Sequence, residues 1–148
     1  MKKLFIVLML LSTAVLAEDR PIKPNPTLTP GAILTQDLKV LCVPGYTSTV
    51  RHVTNKTKRQ VFKSYGLQNA KTNEYEVDHL VSLQLGGSND IKNLWPQSYL
   101  TTPLNAKKKD ALENRLHSLM CKGRISAEEV QKLIATDWIV AYNKYMKK

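Results

Sequence analysis

YEVDHLVSLQLGGSNDIKNLWPQ, residues 75–97, sets an acid beside an imidazole at Asp78-His79, a glycine turn at Gly86-Gly87, and an amide before an aromatic at Asn93-Leu94-Trp95. Tyr75, Val77, Leu80 and Val81 have β-forming character, so the pattern predicts a short strand carrying Asp78 and His79. The run from Gly86 to Asp90 is turn chemistry, and Asn93 to Gln97 reads as a second short strand ended by Pro96. Adjacent residues on a strand face opposite ways. Asp78 and His79 therefore work on two sides of one small target, unless the strand is distorted.

Downstream, Thr102 is the expected N-cap of a helix with Pro103 at its first position. Leu112, Leu116, Leu119 and Met120 recur at helical spacing until Gly123. At 100° per residue Asn105 falls on nearly the azimuth of Leu112 and Leu116, which points its amide inward at the first turn, where it must find partners. Its other use is to satisfy the amides that start the helix. Ser126 with Glu129 forms a capping box for a last helix, whose stripe of Val130, Leu133, Ile134, Trp138, Tyr142 and Tyr145 is read as core.

Upstream, residues 38–73 contain no acid but do contain Lys39, Arg51, Lys56, Lys58, Arg59, Lys63 and Lys71. Asn55 is the expected cap of a short helix with Val61, Phe62 and Tyr65 on its apolar side and a stop at Gly66. One-signed charge around a small helix suits phosphate contact, which raises affinity without reading sequence. Residues 18–36 hold four prolines among polar residues and read as an extended leader or linker. Residues 1–17 have the basic start, apolar run and Val15-Leu16-Ala17 ending of a secretory signal, with cleavage after Ala17. The apolar run is short for a membrane span. A periplasmic or secreted chain with no stable membrane association is expected, and residues 37–148 form one domain.

The formal charge of +10 falls to +8 without Lys2 and Lys3, which favours polyanions such as nucleic acid or an anionic membrane surface. A cationic membrane-active role fits less well, because the last helix carries aromatics that read as core. Cys42 and Cys121 make an even count in an exported segment, so one disulfide is expected. With no C-x-x-C, a structural zinc knuckle is not.

Two strands and the following helix, packed as one unit, bring together parts suited to phosphodiester hydrolysis. A neutral imidazole suits proton removal from water near neutral pH, which casts His79 as general base. Asp78 and the side-chain oxygen of Asn105 are hard donors of the kind Mg²⁺ prefers, since it keeps several waters and needs few protein ligands. Asn93 is placed to bond across the loop and fix the histidine. Lys108 and Lys109 are candidates for holding the phosphate backbone. Arg115 is a further candidate as a phosphate clamp, and a site role for Glu113 is left open. His52 and His117 have no motif context and are read as ordinary.

The order Asp78-His79, Leu85-Gly86-Gly87, Asn93-Leu94, then an asparagine on the following helix resembles the HNH, or ββα-metal, endonucleases. The segments CVPGYTSTVR from Cys42, KRQVFKSYG from Lys58, KDALENRLH from Lys109 and IATDWIVAY from Ile134 widen the likeness to small exported bacterial HNH-domain proteins. The resemblance implies an α+β fold with a ββα-metal core surrounded by helices. It implies a metal-dependent endonuclease with His79 as base, Asn93 structural, and Asp78 with Asn105 on a divalent metal, Mg²⁺ ahead of Mn²⁺ or Zn²⁺. DNA is the expected partner, with RNA second, and Arg51, Lys58, Arg59, Lys108, Lys109 and Arg115 meet phosphate with little sequence preference. Ser82 stands where many HNH sequences carry proline, and the paired cysteines of many relatives are absent. The alternative is a catalytically degenerate HNH fold that only binds nucleic acid.

Overall fold

The computed structural model describes residues 20–71 and 73–147; the predicted signal, residues 1–17, lies outside them. The architecture is mixed helix and sheet. Three short helices, α1 (Leu38–Leu41), α2 (Tyr46–Val50) and α3 (Asn55–Ser64), precede a hairpin of β1 (Tyr75–His79) and β2 (Leu94–Ser98), and α4 (Ala106–Cys121) and α5 (Ala127–Met146) close the chain. Among the described residues no helix is long and apolar enough to cross a membrane.

The two strands are antiparallel, with Tyr75 opposite Ser98, Val77 opposite Pro96 and His79 opposite Leu94. Pro96 does not end the second strand, as the sequence predicts, but lies in its middle. Backbone bonds from Leu80 N to Asn93 O and from Tyr99 N to Glu74 O flank the ladder. Counting inward from them by twos puts Val77 and Pro96 at a pair that exchanges no hydrogen bonds, where the missing N–H costs nothing. Period-two alternation then sorts the sheet. Tyr75 packs edge-on to Phe62 of α3, with ring centroids 6.4 Å apart, while Asp78, on the other face, meets α4.

The α3 cap is Thr54 rather than Asn55: its side chain accepts from Thr57 N, and Asn55 is the first helical residue. A larger difference concerns α4. Thr102-Pro103 is a cis bond ahead of the helix, and Asn105 is the N-cap, in extended backbone, accepting from Lys108 N. Ser126 caps α5 through Glu129 N, as the capping box predicts. That helix is broken at Asp137, which leaves helical geometry and accepts from Ile139 N and Val140 N.

The core joins Trp95 of β2, Leu112, Leu116 and Met120 of α4, and Val130, Ile134 and Trp138 of α5, all essentially excluded from solvent. The proline-rich segment, expected to be an extended leader or linker, instead carries a turn closed by Thr29 N on Asn25 O and is bound to the domain. Thr29 is buried and donates to Leu94 O, Ile22 O accepts from Trp138 Nε1, and Ile33 bridges Gly87. At Gly87 a Cβ would stand 1.7 Å from Val81 O. Only glycine allows that approach of the turn to the end of β1.

Cys42 and Cys121 form a disulfide with Cα atoms 5.7 Å apart, tying the end of α1 to the end of α4 across 79 residues. Such a bond belongs to an oxidising compartment rather than the cytosol. Reducing it is expected to lower the unfolding free energy by about 2 to 4 kcal/mol. Urea titrations with and without a dithiol check this, and coincident midpoints would contradict it.

Candidate active site

The hairpin, the turn after β1 and one side of α4 enclose a cleft of about 340 Å³ whose lining includes Arg51, Glu76, Asp78, His79, Ser82, Asp110, Glu113 and Asn114. β1 supplies Glu76, Asp78 and His79. Glu76 and Asp78 are two apart and share a face, with His79 on the opposite one. α4 supplies Asp110, Glu113 and Asn114, which at i, i+3 and i+4 share one side of the helix.

His79 is buried, and its Nε2 lies 3.1 Å from Asn89 Oδ1. Asn89 in turn donates from Nδ2 to Val50 O at 2.7 Å. With Nδ2 fixed as donor, Oδ1 is left as acceptor, so Nε2 carries the ring proton and Nδ1 is the basic nitrogen. Burial pushes the His79 pKa down, more than Asn89 and Asp78 raise it. The ring is therefore neutral near pH 7, the form a base requires.

Asn93 is fully buried and bonds across the loop, as expected, but not to the histidine. Its Oδ1 accepts from Val81 N at 3.0 Å, and its Nδ2 donates to Val81 O at 2.9 Å and to Ser88 O at 2.8 Å. It fastens the start of β2 to the end of β1 and to the turn that carries Asn89. The orienting contact on the ring is Asn89's own. In the sequence Asn89 is one residue of the Gly86–Asp90 turn, and nothing in the local pattern distinguishes it from Ser88 or Asp90.

Lys109 stands farthest from expectation. Placed by the sequence on a phosphate-facing turn, it is completely buried. Its Nζ donates to Asp78 Oδ2 at 2.7 Å, to His79 O at 2.7 Å and to Glu113 Oε1. Burial alone would lower its pKa; the facing carboxylates of Asp78 and Glu113 reverse this and hold it above the ordinary lysine range. Burial pushes Glu113 up, outweighing the pull of Lys109. One ammonium thus faces two carboxylates. The sequence signal exists, since Lys109 and Glu113 are four apart and interleave with Leu112 and Leu116.

Asn105 is not part of the cleft lining. Its Oδ1 caps α4 and its Nδ2 donates to Tyr99 O at 3.2 Å, the alternative use its position at the helix start allowed. Arg51 lines the cleft, whereas Lys58 and Arg59 line a separate hollow on α3. Lys108 and Arg115 are solvent-exposed on α4.

The donors of the cleft fit a hard divalent cation. Glu76 Oε1 is buried without a hydrogen-bond partner, while Oε2 accepts from Tyr99 Oη at 2.7 Å. Burial raises the pKa values of Glu76 and of Asp110, and the Asp78 charge adds to both. Crowded carboxylates with an orphaned oxygen are a setting in which a cation relieves repulsion. Among the described residues the one trio of converging ligand atoms is Cys42, His117 and Cys121, whose sulfurs already form the disulfide. The cleft carboxylates make no preset cage. Mg²⁺ needs none, since one or two carboxylates and several waters suffice.

Comparison with models of protein families, with curated proteins and with solved structures finds no match for this chain.

Proposed function

We propose that this chain is an exported, metal-dependent endonuclease that hydrolyses phosphodiester bonds of DNA, and secondarily of RNA, with little sequence preference. The observation that supports it most is the convergence on one cleft of a neutral histidine held by Asn89, a set of carboxylates and Arg51. His79 Nδ1 takes the proton from the attacking water. Arg51 draws in the phosphate and neutralises one of its oxygens. Glu76 Oε1 and the Asp78 oxygen left free by Lys109 would be the donors for a divalent ion, with Asp110 lining the same cleft. When bound, that ion supplies charge neutralisation at the phosphate and leaving oxygen. By the mechanism of the family it resembles, the products carry 5′-phosphate and 3′-hydroxyl ends. The disulfide agrees with a periplasmic or secreted site of action.

Supercoiled plasmid is expected to be nicked with Mg²⁺ or Mn²⁺ and to stay intact in EDTA. Cleavage undiminished by EDTA, or none with any divalent ion, would overturn the reading.

One observation favours a second reading, a nucleic-acid-binding protein on a degenerate nuclease fold. The Lys109 ammonium already neutralises Asp78 from inside the protein, as a metal would from outside. Salt-sensitive DNA binding without cleavage in the same metal series is its signature.

A further inference from the structure

On the exposed side of α3 lies a hollow of about 480 Å³, lined by Asn55, Lys58, Arg59, Phe62, Lys63 and Gln68 among others, with no acid in its lining. Its chemistry differs from that of the cleft. The cleft is crowded with carboxylates, whereas this hollow combines one aromatic wall with three cations. Phe62 is half-buried, and its ring is held perpendicular to Tyr75, so the wall is anchored on β1. Lys58, Arg59 and Lys63 are exposed; Lys58 and Arg59, at i−4 and i−3 from Phe62, are its neighbours on the helix surface, and Lys63 lines the same hollow. Asn55 and Gln68 contribute amides, side chains that can both donate to and accept from the edge of a base.

We infer that this hollow is a subsite for an unpaired nucleobase: the base lies against Phe62, and its flanking phosphates rest on Lys58, Arg59 and Lys63. The inference deepens the nuclease reading and rests on nucleic acid being the partner. Charge decides the class of occupant. A second copy of this strongly basic chain would repel three cations, and one aromatic ring offers a membrane little apolar area. A polyanion carrying flat, apolar-faced rings matches both halves of the hollow, since stacking on an aromatic tolerates any base while cations follow the backbone. A duplex keeps its bases stacked inside and reaches only the cations. The subsite therefore makes the chain prefer single-stranded or frayed polynucleotide.

The test measures binding without cleavage, using the full disulfide-bonded chain in EDTA and fluorescence anisotropy. The probes are a labelled twelve-nucleotide oligothymidylate, an abasic oligomer of the same length and charge, and a duplex. Phe62→Leu keeps apolar packing against Tyr75 and removes the aromatic face. It is expected to weaken oligothymidylate binding about tenfold, the scale of losing one base stack, with abasic and duplex binding unchanged. Phe62→Trp should bind oligothymidylate at least as tightly as the parent. Lys58→Ala should weaken all three probes and lower the salt slope for single strands by about 0.7. Equal oligothymidylate binding by parent and Phe62→Leu, or an equal loss on the abasic oligomer, would overturn the inference. A chain that nicks plasmid yet shows that equality loses only this subsite. A chain that shows the Phe62 discrimination but nicks nothing loses only the hydrolytic reading.

Discussion

Lys109→Met is expected to lower the unfolding free energy by about 3 to 5 kcal/mol, the cost of taking one partner out of a buried charge cluster. The Lys109 ammonium has no contact with solvent and makes ion pairs with Asp78 and Glu113 and a hydrogen bond to His79 O. Methionine fills much the same volume, so little of the loss would come from a cavity. What remains is an almost fully enclosed Glu113 and a largely enclosed Asp78 with no cation, together with a buried carbonyl that has lost its donor. Urea unfolding of parent and variant measures the loss directly. The double variant Lys109→Met, Glu113→Leu should recover the share due to Glu113, because an apolar pair in place of an ion pair is often near neutral, while Asp78 and the His79 carbonyl still lack their donor. Strict additivity of the two single changes would show that the residues are not coupled. A single variant as stable as the parent would remove Lys109 from the centre of the site.

His79→Ala is expected to reduce plasmid nicking by at least about a hundredfold while leaving DNA binding in EDTA unchanged, as removal of a general base should. The separation of these two readouts matters because His79 is buried, and a general loss of structure would lower both. Asn89→Ala tests the orientation of the ring. It leaves the imidazole in place but removes the acceptor that fixes its tautomer, and a misplacement of about 1 Å can cost on the order of a hundredfold. Its activity should fall between those of parent and His79→Ala. A His79→Ala chain as active as the parent would end the assignment of the base.

Much of the local structure was legible in the residues. The hairpin follows from β-forming residues on either side of Gly86-Gly87, the α5 start from Ser126 and Glu129, and the disulfide from two cysteines in a segment read as exported. Asn93 was legible as a residue that bonds across its loop. The start of α4 was not, because Thr102 and Asn105 are both competent caps, and the choice depends on where the chain leaving β2 can begin to turn. That choice has a direct consequence for the site. The azimuth that points Asn105 inward holds only for a residue inside the helix, and Asn105 stands just before it in extended backbone.

Residue types and their spacing specify which chemical groups this protein has and the short-range geometry that groups them: an acid and an imidazole on opposite faces of one strand, a glycine turn, and a basic helix without acids. These follow from the two-residue and 3.6-residue periods, which fix directions over a few residues and no further. Which groups meet depends on how the elements pack, and the packing is not local. Packing turned Lys109 from a surface cation into the buried partner of Asp78, 31 residues away in the chain, put Asn89 rather than Asn93 on the His79 ring, and brought Asp110 and Glu113 to the carboxylates of β1. Burial makes the difference. A charge is read as solvent-facing until the packing of α4 on the hairpin removes the water, after which it must find its partners within the fold.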